Sequence, residues 1–135
     1  MRRARCGALL LTLIAVAACH RAGDSPRTAA EAFLDEHYVR IDLEAAKQHT
    51  VGVARFKVEE EQRLVGDQQI DASTRRPRVS YAFAETRDET ADSAALLYDA
   101  TIRFDDGGTT ALRWLITARR EPDGAWKVSN YQEFE

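Results

Sequence analysis

Cysteine is nearly missing. The 135 residues hold two, Cys6 and Cys19, too few for a disulfide scaffold or a zinc cluster. Histidine occurs three times, as His20, His37 and His49, with no H-E-x-x-H or comparable spacing, so neither a metal site nor a cofactor is expected. G-x-S-x-G, Walker A and G-x-G-x-x-G sequences are absent, which removes the commonest hydrolase and nucleotide-binding signatures. No apolar run reaches the roughly 20 residues that a membrane-spanning helix needs. Beyond the N-terminal region there is no low-complexity stretch and no internal repeat. Nor does either charge dominate: 19 Lys+Arg stand against 22 Asp+Glu, with 44% hydrophobic and 30% charged residues. That balance excludes disordered, collagen-like and polybasic nucleic-acid-binding classes, and the length allows a single domain.

What is present begins with a targeting pattern. Arg2, Arg3 and Arg5 form a basic stretch, and residues 7–18 (GALLLTLIAVAA) form a twelve-residue apolar run, short for a span. The run ends in Val16-Ala17-Ala18-Cys19, which resembles the bacterial lipobox: an aliphatic residue, two small residues, then cysteine. The resemblance implies cleavage before Cys19 and lipidation of its thiol. Residues 1–18 are then a lipoprotein signal peptide, 19–24 the lipidated cysteine and a tether, and 25–135 one domain. A signal peptide cut near Ala18 with Cys19 incidental, and an uncleaved anchor, are the alternatives. The mature chain keeps 16 basic and 22 acidic residues, formally −6. Acyl chains such as palmitate, at about 0.8 kcal/mol per buried CH₂, hold it to a membrane. His20 stands where, by the same resemblance, an aspartate retains lipoproteins at the inner membrane, so the outer membrane of the cell envelope, facing the periplasm, is expected. A tether of about five residues reaches at most about 18 Å.

The domain itself reads as helices followed by strands. Ser25 and Pro26 open a helix whose apolar stripe, Ala29, Ala30, Phe33, Leu34, His37 and Tyr38, continues through Val39. Asp42 caps a second helix over 43–49. A third starts after Thr50, carries Val51, Ala54, Val58 and Val65 on one face, and stops at Gly66. Its Glu59-Glu60-Glu61 run reads as a solvated face. The period then changes to two. Val79, Tyr81 and Phe83 alternate with Ser80, Ala82 and Ala84; Leu96, Tyr98, Ala100, Ile102 and Phe104 alternate with Leu97, Asp99, Thr101 and Arg103. Leu112, Trp114, Ile116 and Ala118 do the same against Arg113, Leu115, Thr117 and Arg119, and a last strand runs from Trp126 and Val128 to Phe134. Turns fall at 87–92, 105–108 and 122–124. The spacing predicts an α+β fold: N-terminal helices packed on a curved four-stranded antiparallel meander.

Helices followed by a meander ending in Asp123-Gly124-x-Trp126-x-Val128 resembles the nuclear-transport-factor-like cone, the SnoaL-like and ketosteroid-isomerase-like superfamily that also includes polyketide cyclases and small bacterial lipoproteins. A cystatin-like wrap is the nearest alternative. The resemblance implies a pocket between helices and sheet. Enzymes of this kind need an inward acid or a His/Asp pair there, because abstracting a carbon-bound proton requires a positioned base. On the inward register from Val79 to Val128 no residue is acidic. The ionisable candidate is His37, with Tyr38, Tyr81, Tyr98, Trp114 and Trp126 as candidate pocket lining. His49 reads as structural at a helix end.

The expectation is therefore a non-catalytic, membrane-anchored domain that binds a partner protein or a small apolar ligand, and not an enzyme. An isomerase- or cyclase-like activity using His37 and the inward tyrosines is the alternative, as is a structural homodimer using Leu97 and Leu115 on the outer register. The Arg75-Arg76-Pro77-Arg78 cluster reads as a solvated loop, or as a contact to anionic headgroups. A net acidic exported domain makes nucleic acid no partner.

Overall fold

The computed structural model describes residues 21–66 and 76–135. Residues 1–18, expected above to be a signal peptide, and Cys19, His20 and Arg75 lie outside the described residues. Helix α1 spans Pro26–Leu34, followed by a wider helical segment, Asp35–Arg40, then α2 (Leu43–Lys47) and α3 (Gly52–Val65). Four strands follow: β1 (Arg78–Glu89), β2 (Ser93–Arg103), β3 (Thr109–Arg120) and β4 (Trp126–Phe134). They form one antiparallel sheet in the order β1-β2-β3-β4. The α+β meander expected from the sequence is the fold observed.

Local chemistry explains the helix starts. Ser25 Oγ accepts from Thr28 N at 3.1 Å while Thr28 Oγ1 accepts from Ser25 N at 2.9 Å, a reciprocal cap with Pro26 at the first position. Asp42 Oδ1 accepts from Ala45 N at 2.9 Å at the start of α2. From Asp35 onward the helix widens to a five-residue hydrogen-bond spacing and stops at Ile41, which is left-handed at φ 56°. The wider turn directs His37 into the core and Val39 out to solvent, 42% exposed. The apolar stripe therefore does not continue through Val39 as its spacing suggested. The second helix also stops early, at Lys47, because Thr50 bridges to Val128 and the backbone of 49–51 pairs with β4.

The sheet departs from the expected boundaries at both hairpins. β1 runs to Glu89 rather than ending before 87, with register shifts between Phe83 and Glu85 and between Thr86 and Asp88 that let a long strand curve. The turn is confined to 90–92, where Thr90 N donates to Ser93 O at 2.7 Å. β2 begins at Ser93 and ends at Arg103. Phe104 thus falls in the following turn and is 44% exposed, not inward.

The core sits between α1, α3 and the concave face of the sheet. Phe33, Leu34, Ala54 and Val58 meet Leu96, Tyr98, Trp114, Ile116, Val128 and Tyr131, all buried. At about 1.5–3 kcal/mol per large apolar side chain removed from water, this face is the main source of stability. The edge of β4 is not left open. Val51 N donates to Val128 O (2.9 Å), Val128 N to His49 O (2.8 Å), and Lys57 Nζ to Tyr131 O (2.8 Å). On the outer face Leu97 is 5% exposed, so it contributes the floor of a groove and not the exposed patch its register suggested.

Candidate functional site

The widened turn after Leu34 brings a ring cluster together on the concave face. Tyr38 stacks on Trp114, centroids 4.0 Å apart and planes 16° from parallel. His37 stacks on Phe33 at 5.0 Å and lies 4.3 Å from the Tyr38 ring centroid, edge-on. Tyr98 meets Tyr81 and Phe83 edge-on, each at 5.7 Å. His37, Tyr38, Tyr81, Tyr98 and Trp114 are thus assembled in one cluster. Trp126 is not among them: it sits at the start of β4, opposite Arg120, five residues before the part of the strand that reaches the cluster.

Acids enter from places that the strand register did not reveal. Glu61 of α3 accepts from His37 Nε2 at 2.7 Å and from the Tyr131 hydroxyl at 2.5 Å. Glu133 accepts from the Tyr38 hydroxyl and Asp35 from the Tyr81 hydroxyl, both at 2.6 Å. The reading of Glu59-Glu60-Glu61 as one solvated face therefore needs correcting. Glu59 and Glu60 pair with Arg55 and Arg63 on the exposed side, whereas Glu61 is three residues beyond Val58 and shares its stripe. Ala54, Val58, Glu61 and Val65 were legible as one helical face. Tyr131 was not, because an irregularity at Ser129 sets Val128 opposite Ala118 and Asn130 opposite Thr117, reversing the alternation of β4. The same step brings Glu133 opposite Trp114, so the concave side of the sheet does carry an acid.

The electrostatics are those of a closed network. Burial works against ionisation of Glu61, but the hydrogen bonds from His37 and Tyr131 outweigh it and hold the carboxyl below its usual range. A carboxylate only accepts, so His37 Nε2 carries the proton of this bond. The His37 Nδ1 is buried with no hydrogen-bond partner among the described residues. Burial first, and carboxylate acceptors second, push the Tyr38, Tyr81 and Tyr131 hydroxyls well above the ordinary range, so all three stay protonated donors. Lys57 Nζ reaches Asn130 Oδ1 at 2.9 Å and lies 5.0 Å from the centroid of the Tyr131 ring.

Phe33, Tyr98 and Trp114 are wholly buried between helices and sheet. A small concavity of about 200 Å³ opens between the start of α1 and the sheet, lined by Arg27, Phe83 and Leu96. Larger ones lie elsewhere. One of about 450 Å³ is bounded by Arg40, Leu43, Gln62 and Arg76 at the end of α3. Another, of about 460 Å³, runs over the outer face between Leu97, Leu115 and Phe134, with Arg87 and Arg113 at its rim. Among the described residues no group of three His, Cys, Asp or Glu could hold a metal, and no helix is long and apolar enough to cross a membrane.

No family model matches the chain, and no curated protein matches it. Solved structures do. A ketosteroid isomerase-like protein from Erwinia carotovora atroseptica superposes with a TM-score of 0.55 at 20% identity, covering 80% of this chain and 91% of that one. A protein assigned as a calcium/calmodulin-dependent protein kinase type II association domain, from Thiobacillus denitrificans, gives a TM-score of 0.64 at 14% identity over 84% of this chain and 97% of that one. An NTF-2 like protein of unknown function from Shewanella oneidensis gives 0.53 at 8% identity over 81% and 95%. At these identities the likeness is one of fold. Helices first, a four-stranded meander and an aromatic concave face together give this chain the fold of nuclear-transport-factor-like and ketosteroid-isomerase-like proteins.

Proposed function

We propose that this chain is an envelope lipoprotein, anchored through lipid on Cys19 and facing the periplasm from the outer membrane, whose cone domain is a non-catalytic binding module. The observation that carries the non-catalytic reading is the orientation of the His37–Glu61 pair. A histidine base must face its substrate, with the carboxylate behind it to hold the tautomer. Here the imidazole is the inner member, its side chain 7% exposed, and the carboxylate the outer one at 37%. Nδ1 is buried without a hydrogen-bond partner among the described residues, and the rings of Phe33, Tyr38 and Tyr131 pack around the imidazole. His37 then works as a core hydrogen-bond donor, and binding falls to the surfaces, with a partner protein preferred over a small apolar ligand inside the cone.

A native mass spectrum of the full chain, extracted from its own membrane in mild detergent, tests this reading. A chain beginning at Cys19, carrying acyl groups and a second polypeptide, is expected. An unmodified mass removes the anchor, and a stoichiometric small adduct lost in a His37→Ala variant restores the enzyme or carrier alternative. A second reading, a homodimer formed through the outer face of the sheet, is favoured by the apolar groove over Leu97, Leu115 and Phe134.

A further inference from the structure

The stretch between Cys19 and the domain does not hang free along its length. Arg21 N donates to Asp24 Oδ2 at 2.6 Å and Asp24 N to Arg21 O at 3.1 Å, closing a turn. Within that turn Gly23 is buried, and its carbonyl accepts from Trp126 N at 2.8 Å. Gly23 has φ +89°, and a Cβ there would stand 3.1 Å from the Trp126 carbonyl oxygen, so glycine is what allows the two backbones to meet. Docking therefore starts by Arg21, with His20 alone between it and Cys19. Two Cα–Cα steps of 3.8 Å reach about 8 Å, less than half the reach of a free five-residue tether.

The docking point lies at one end of the sheet. The turns at 90–92 and 121–125 are at that end, linked by the hydrogen bond from Arg120 N to Asp92 O (2.8 Å). So is the start of α1, where the Arg27 guanidinium lies 4.4 Å from the centroid of the Phe83 ring. At the opposite end are the 104–108 turn, Arg78 paired with Arg103, and Phe134 closing β4. Arg76 is held there too, donating to Arg40 O at 3.0 Å. At about 3.3 Å per residue, β4 separates the two ends by roughly 26 Å.

We propose that this docked segment holds the domain in one orientation on a lipid bilayer. The end with Gly23, Trp126 and the 90–92 turn rests against the membrane surface, and the end with Arg76, Arg78 and residues 104–108 is held away from it. The proposal rests on the reading of Cys19 as the lipidated residue. Its consequence is that the basic cluster around Arg76 and Arg78 is kept from the headgroups by the length of the sheet, although the sequence places it after a short tether. The membrane-facing end carries both signs, Arg119 paired with Glu121 at 3.2 Å beside Asp92 and Arg120, which suits a zwitterionic surface better than a strongly anionic one.

The mature chain has no thiol besides Cys19, so single labels are clean. Asp92→Cys and Asp105→Cys, both at exposed turns at opposite ends, would carry a fluorophore on the lipidated full chain in phosphatidylcholine vesicles containing a headgroup quencher. Quenching several-fold stronger at 92 than at 105 is expected. Gly23→Val, which removes the close approach, and a ten-residue Gly/Ser insertion between His20 and Arg21, which leaves the docking intact, should both bring the two labels level. Equal quenching in the parent protein, or a difference that survives both changes, overturns the orientation. The intact mass of the same sample separates this from loss of the anchor: an unmodified Cys19 removes the lipid reading, whereas a lipidated chain with equal quenching removes the orientation alone.

Discussion

Glu61 meets opposed demands at residue scale. Half-buried, it keeps its charge because His37 and Tyr131 donate to it, and the net effect lowers its pKa from the ordinary 4.5. As pH falls, the unfolded chain therefore takes up the proton before the folded one does. The stabilisation is present above about 4.5 and lost as pH drops through the folded value. His49 acts with the same sign at higher pH. Burial, and then the nearby Lys127 charge, lower it from 6.5, so the unfolded chain protonates first and stability declines as pH falls below that value. Urea midpoints measured from pH 8 down to pH 3 should decline in two stages. His49→Gln should flatten the upper stage, and Glu61→Gln the lower one. A profile unchanged in either variant would show that the group titrates alike in both states.

The elements depend on their ends more than on intrinsic propensity. α1 is nine residues long, too short to be stable in isolation, and it is held by its cap, by Phe33 and Leu34 in the core, and by the docked turn before it. Ser25→Ala removes the Oγ acceptor of the reciprocal cap, leaving Thr28 Oγ1 to accept from the backbone N of residue 25, and should cost about 1 kcal/mol. For a domain of this size that lowers the thermal midpoint by roughly 4 °C, read by circular dichroism. An unchanged midpoint would mean that the Gly23–Trp126 contact holds the start of the helix without the cap. At the other side of the fold, Lys57 closes the edge of β4 by bonding Tyr131 O and Asn130 Oδ1. A cation buried along its stem thus serves where another strand would otherwise pair.

At the scale of the whole molecule, the concave face is satisfied by the chain's own helices and the convex face is not. Leu97, Leu115 and Phe134 form an apolar groove, and the arginines at its rim are already paired, Arg113 with Asp99 at 3.1 Å and Arg87 with Glu85 at 2.6 Å. Charge thus neither draws nor repels a second copy strongly, and any self-association rests on apolar area. If the homodimer reading holds, sedimentation equilibrium of the detergent-solubilised chain at high concentration gives a dimer that Leu115→Glu converts to monomer with unchanged circular dichroism. A monomer at all concentrations removes that reading and leaves the groove for a different polypeptide.

The order of helices and strands, the cap at Ser25 and the stop at Gly66 were legible because each depends on neighbours in sequence: a hydroxyl three residues from an amide, or a period of 3.6 giving way to one of two. So was the face carrying Glu61, had Ala54, Val58 and Val65 been followed through it. What only the tertiary structure decided turns on one-residue changes of phase. The widened turn at Asp35–Arg40 sends His37 inward and Val39 outward, and the irregularity at Ser129 sends Tyr131 inward. Neither leaves a mark in composition or periodicity, because each is chosen by packing against a distant element. The sequence by itself determined a small α+β domain behind a lipobox-like segment. Which residues meet His37, whether the cone is filled, and which end of the sheet holds the start of the domain depend on contacts between residues 24 to more than 100 positions apart, and no local pattern encodes those.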